Sequence, residues 1–236
     1  MGREFEIRRE VDLEATPEQV WEAVATGPGN KAWLFPNEIE PGEGGPVQVW
    51  DPPHHLAIRV EGEDGWFNAL EFVIEGREGA GTVLRYVHSG IFTDDWDDQY
   101  DAAGKHTDFY LHTLGEYLKH FAGRPATYVG GGPDGIEGPA ASKEPGAFDA
   151  VREALGLSNG AAPGDRVRLE PEGVDGVVDY LKPQFIGIRT ADGLYRFFGR
   201  NAWGHPVGIS LHLFSEDADA DRAQRTWKEW LDGVFA

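Results

Sequence analysis

The chain has no cysteine, a single methionine and about half as many basic as acidic residues, with 21 Lys plus Arg against 41 Asp plus Glu and a formal net charge of −20. Without cysteine there is no disulfide, zinc–thiolate centre, iron–sulfur cluster or thiol nucleophile. A negative field of this size repels phosphates and anionic headgroups, so no nucleic acid partner is expected. No apolar run approaches the roughly 20 residues of a membrane helix. The opening "MGREFEIRREVDLEA" lacks a signal-peptide core, and the residues after Gly2 do not fit a myristoylation signal. The expectation is a cytoplasmic protein with no membrane insertion.

What the chain does have is apolar material. Its hydrophobic fraction is 40% and it carries eight tryptophans, enough for a sizeable core or two modest ones in 236 residues. Phe5, Ile7, Val11 and Leu13 alternate with polar residues as a half-buried strand does, with Arg9 breaking the pattern on the apolar parity. "TPEQVWEAV" starts a helix, with Thr16 as N-cap, Pro17 in the first turn and Gln19 closing a capping box. Strands are expected near 46–50, 55–61, 66–75 and 82–91. The acidic run "TDDWDDQYDAAGKH" reads as a loop before a helix from about Thr107 to Phe121. Residues 123–146, rich in Gly and Pro, read as a linker. A short helix, strands near 166–169, 174–181, 184–190, 193–199 and 206–213, and a closing helix complete the chain.

The two halves carry a weak repeat. "WDPPHHLAIRVEGEDG" parallels "YLKPQFIGIRTADG", pairing Trp50 with Tyr180, Pro53 with Pro183, Ile58 with Ile188 and Arg59 with Arg189; further on, His88 falls opposite His212. The second half shows no obvious partner for the first strand or for the Trp33 region.

"FEIRREVDLEATPEQVWEAV", a lone Trp33, "DPPHHLAIRV", "GTVLRYVHSG" and "FYLHTLGEYLKHF" follow one another over residues 3–122 in an order that resembles the SRPBCC (START-like) superfamily. More narrowly they are similar to the domain named for activators of the ninety-kilodalton heat-shock protein's ATPase. One departure is Gly104-Lys105-His106, where members carry Gly-Trp before the last helix. The resemblance implies an α+β helix-grip fold, a curved antiparallel sheet around a long C-terminal helix with a cavity between them. The organisation expected is such a domain over 1–122, the linker 123–146, and a degenerate, reduced copy over 147–236 like extensions found in actinobacterial proteins. It also implies three functions: binding of a small hydrophobic, lipid- or polyketide-like molecule, ranked first; a cyclase or aromatase; and a chaperone ATPase activator.

Several motifs compete for a site. Neighbouring strand residues point to opposite faces, so His54 and His55 cannot share one metal from a regular strand. "DDWDDQYD" lacks the glycine and closing Glu of a calcium loop, and "VGGGPDG" lacks the Lys-Ser/Thr of a phosphate loop. "GISLH" is no nucleophile elbow. No metal or cofactor is expected. Leu84, Tyr86 and His88 share the parity that the resemblance turns inward, making His88 the candidate acid or base. Tyr86 and His88, with Arg9 and the aromatic residues Trp21, Trp33, Phe35, Trp66, Phe72, Phe109 and Tyr110, form the expected ligand-binding set.

Overall fold

The computed structural model describes residues 2–236 except 78, 80, 131, 133, 134, 158 and 159. Gly131, Pro133 and Asp134 of "VGGGPDG" thus lie outside the described residues. The chain forms two compact units, the first running to Gly123 without Leu34–Pro36, the second comprising Leu34–Pro36 and Arg124–Ala236.

The first unit opens with β1 (Arg3–Leu13), whose alternation buries Phe5, Ile7 and Leu13. The helices α1 (Pro17–Ala25) and α2 (Gly27–Asn30) follow. The α1 capping box is formed as the sequence specifies, the Thr16 hydroxyl accepting from the Gln19 backbone and the Gln19 side chain from the Thr16 backbone. Then come β2 (Val47–Asp51), β3 (His55–Glu61), β4 (Phe67–Arg77), β5 (Gly81–Phe92) and α3 (Trp96–His120). Among the described residues the sheet is antiparallel in the order β1-β5-β4-β3-β2, so the first strand lies beside the last.

The helix α3 starts earlier than the sequence reading had it. Most of the expected acidic loop forms its first turns, because Trp96 and Tyr100, one turn apart, stack at 4.7 Å between centroids. Their polar ends are held by the edge of β1: the Trp96 indole donates to the Glu4 carbonyl and the Tyr100 hydroxyl to that of Glu6, while Arg3 lies 3.8 Å over the Trp96 ring. Asp97 and Asp98 fall in the first turn, where the helix dipole favours negative charge.

The second unit repeats this order with shorter elements. Strand β6 (Thr127–Val129) and the two-residue β7 (Ile136–Glu137) precede α4 (Ala147–Ala154); β8 (Arg166–Leu169), β9 (Val174–Lys182), β10 (Phe185–Thr190), β11 (Gly193–Phe198), β12 (Gly208–Leu213) and α5 (Ala220–Val234) follow. The sheet order is β6-β12-β11-β10-β9-β8, with β7 also on β12. The stretch expected as a linker, 123–146, therefore supplies the first strand that this copy had seemed to lack. Tyr128 pairs with His212 as Ile7 pairs with His88, again first strand against last. The Gly and Pro residues masked this in the sequence, because a three-residue strand leaves no readable alternation. The core of this unit gathers Ile186, Ile188, Phe197, Ile209 and Leu211 under Trp227 and Leu231 of α5.

The opposite face of the second sheet carries a buried ion pair. Gly187 pairs with Tyr180 while Ile188 pairs with Val178, so Asp179 is the extra residue of a β-bulge. The bulge turns its carboxylate over Gly187 to Arg196, whose Nη1 donates to both oxygens at 2.9 Å, with side-chain exposures of 1% and 4%. Ser210 stands opposite Arg196 on β12. The small residues Gly187 and Ser210 leave the room that the guanidinium fills.

Candidate functional site

In the first unit, the strand registers put the inward residues on successive rungs. At the closed end Val11, Leu84 and Ile74 share a rung, and Arg9, Tyr86, Phe72 and Leu56 share the next. Then come Ile7, His88, Leu70 and Ile58, and after them Phe5, Gly90, Asn68 and Val60. Trp66 stands at the lip against Gly62.

Along β3 and β4 burial falls from the closed end outward, while Phe5 and Ile7 of β1 stay buried. Ile74, Leu84, Leu56 and Phe72 are buried, Ile58 and Leu70 are half-buried, and Val60 and Trp66 are 49% and 36% exposed. The cause is the placement of the helices. Pro17 of α1 packs on Gly76 at the closed end, and Trp21 meets Trp50 edge-on at 5.0 Å. The long α3 packs on β1 and β5, meeting them with Thr107, Asp108 and Gly115. The outer rungs of β3 and β4 are left as an apolar strip open to water.

Polar groups sit along its floor. His88 Nε2 donates to Asn68 Oδ1 at 2.8 Å, and Phe5 packs edge-on against the imidazole at 4.9 Å. Removal from water lowers the His88 pKa to about 4, so the ring is neutral at pH 7. One rung deeper, the Tyr86 and Thr107 hydroxyls share a hydrogen bond, and burial raises the Tyr86 pKa, keeping it a neutral phenol. Arg9 lies on the same rung, where its Nε donates to Asp108 Oδ1 at 2.5 Å. That hydrogen bond raises the Arg9 pKa further. The Arg9 cation is thereby matched to a carboxylate.

The structure brings Arg9, Phe72, Tyr86 and His88 together, with Tyr110 beside Tyr86 and Trp66 at the lip. Trp21 and Trp33 are core: the Trp33 indole donates to the Ala23 carbonyl at 2.9 Å, pinning the end of α1. Two expected members lie elsewhere. Phe35 belongs to the second unit. Phe109 follows Thr107 by two residues, roughly 200° around the helix, and so faces away from this sheet. Ile58, Val60, Asn68 and Leu70 escaped the sequence reading. Asn68 carried a usable signal, a polar residue on the parity of Leu70, Phe72 and Ile74 in "WFNALEFVI". His55 is engaged on the opposite face, its Nε2 2.8 Å from Glu71 Oε1. Among the described residues, no group of three His, Asp or Glu is placed to hold a metal ion, and no helix is long and apolar enough to cross a membrane.

No family model and no curated protein matches the chain. Among solved structures, a Mesorhizobium loti protein is similar at 19% identity over 50% of this chain and 98% of its own, with a TM-score of 0.43. The Aha1 dimer from Colwellia psychrerythraea is similar at 21% identity over 48% of this chain and 96% of its own, with a TM-score of 0.38. The di-domain ARO/CYC BexL of the BE-7585A biosynthetic pathway aligns over 94% of this chain and 92% of its own at 14% identity, with a TM-score of 0.41. By its own strand order and the helix laid across it, the first unit is a helix-grip fold, and the second unit repeats that order in shorter form.

Proposed function

We propose that the first unit binds a small, elongated, uncharged apolar molecule in the groove between Trp66 and Tyr86. The observation that carries this reading is the graded exposure of the apolar residues of β3 and β4. Ile58, Val60 and Leu70 remain open to water on the same side of the sheet as the buried Leu56, Phe72 and Ile74. Each half-exposed aliphatic side chain that a guest covers contributes about 25 cal/mol per Å² of apolar area removed from water.

The floor selects the guest. With Arg9 held by Asp108, His88 neutral and Tyr86 protonated, the groove offers hydrogen bonds but no unmatched charge. A carbonyl or hydroxyl fits beside Asn68 and His88, while a free carboxylate would lose its hydration without a counter-ion. An imidazole with a pKa of about 4 is a weak base at neutral pH, so His88 serves here as a hydrogen-bonding group and Asn68 fixes its tautomer. A cyclase or aromatase and a chaperone ATPase activator are alternatives drawn from the resemblance alone.

Nile red, a neutral solvatochromic dye, tests this directly. The wild-type chain should bind it with a blue-shifted emission, and anthraquinone should displace it. Leu70→Arg, at a half-exposed position, should weaken binding at least tenfold, or about 1.4 kcal/mol, with little change in Tm. A wild-type chain that leaves the dye spectrum unchanged would remove the proposal, as would equal binding by the variant.

A further inference from the structure

The second unit holds a cavity of its own. It measures about 660 Å³ and opens where the ends of β9 to β12 meet the first turns of α5. That volume is in the range of small-molecule sites. Its inner wall is apolar, formed by Val174, Tyr195, Leu213 and Ala223. These side chains continue the core beneath Trp227.

The rim differs from the groove of the first unit. Glu172, Asp175, Asp192, Asp217 and Asp219 line it against a single base, Arg222. Glu172 is the fixed point: it sits in the turn between β8 and β9, and its carboxylate accepts from the Tyr195 hydroxyl at 2.6 Å and the Trp227 indole at 2.7 Å. Both donors are neutral, so these bonds orient the carboxylate without cancelling its charge. Asp175 and Asp192 have surface arginines as partners, Arg168 at 3.0 Å and Arg124 at 2.6 Å. The Asp219 side chain caps α5. Asp217, on the exposed loop before α5, completes the acidic side.

We infer that this cavity binds an organic cation, a protonated amine carried on a compact aromatic or aliphatic body. The body would occupy the apolar wall and the ammonium would lie at the acidic rim. An anion of the same shape would meet net negative charge in a partly water-excluded space and be rejected. This site is independent of the first unit's groove, whose floor selects against charge.

Two probes with the same ring system separate shape from charge. Isothermal titration should show that 2-(2-naphthyl)ethylamine binds and that 2-naphthylacetate binds at least tenfold more weakly. Glu172→Gln should weaken the amine several-fold, as should Asp217→Asn, an exposed change with no part in the core. Ala218→Trp, which fills the mouth, should abolish amine binding, while Leu70→Arg in the first unit should leave it unchanged. Equal affinity for the two probes would overturn the inference. So would amine binding that survives both Ala218→Trp and Asp217→Asn, because it would then be diffuse attraction to an acidic surface. If Ala218→Trp fails to fold, Asp217→Asn and the probe pair decide the matter.

Discussion

His88 shows how much of a residue's chemistry depends on its neighbours. The sequence places it on an inward parity, which allows a general base, a metal ligand or a structural hydrogen bond. The structure surrounds it with Phe5, Leu70 and Asn68, and loss of water drops its pKa from the ordinary 6.5 to about 4. Between those two values the unfolded chain holds more proton than the folded one, so folding loses stability as pH falls through this window. The contribution is complete above pH 6.5 and declines toward pH 4. Urea denaturation at pH 7 and pH 5 should therefore show a smaller loss for His88→Phe than for the wild type. Equal losses in the two proteins would refute the burial argument, as would an imidazole NMR titration with a midpoint near 6.5. Arg9 makes the same point with the opposite outcome. Its misplaced charge in the strand pattern looks like a ligand contact, yet Asp108, 99 positions away, takes it up.

Among the elements, the β9–β10–β11 ladder is where a small residue decides most. Gly187 lies between the strands that carry Asp179 and Arg196, and a Cβ there would collide with Asp179 Oδ1 and Arg196 Nη1. Neither group can move into water, since the pair is almost fully buried. Gly187→Ala should therefore destabilise by about 1–3 kcal/mol through overpacking, read as a lowered urea midpoint. Gly233→Ala on α5, where an added Cβ meets nothing, should instead be neutral or stabilise by up to about 1 kcal/mol. Matching effects at the two sites would mean that the ion pair does not constrain Gly187. Gly208 and Ser210 put small residues on one parity of β12, and their spacing alone does not show what fills the space beside them. A bulge at Asp179 supplies the answer, and bulges leave no periodic trace.

At the scale of the whole molecule, the charge of −20 is the dominant long-range term. Like charges repel more strongly in the compact state than in the expanded one, and salt shortens the range of that repulsion to about 8 Å at physiological ionic strength. The melting temperature should rise as NaCl goes from 0.02 to 0.3 M, on the order of a few degrees. A Tm that falls with salt would show that the surface pairs, such as Arg85 with Glu10 and Glu75, outweigh the net repulsion. The same acidity assigns opposite preferences to the two proposed sites: the first unit's groove sets Arg9 against Asp108, and the second unit's cavity presents carboxylates to its opening.

The sequence alone determined the elements whose signal is local. The capped α1, the alternation of β1, the strands on either side of Pro52 and Pro53 and the closing α5 can be read from residues a few positions apart, and the matching of "WDPPHHLAIRV" with "YLKPQFIGIRT" from a constant spacing. Features that depend on distant partners could be decided only by the tertiary structure. Trp96 and Tyr100 extend α3 because β1 offers them carbonyls, and Thr127–Val129 is a strand because β12 lies beside it. The outer apolar residues of β3 and β4 stay open to water because α1 covers their inner ends while α3 lies along β1 and β5. Whether an apolar side chain becomes core or lining depends on what lies above it, and no spacing along the chain records that.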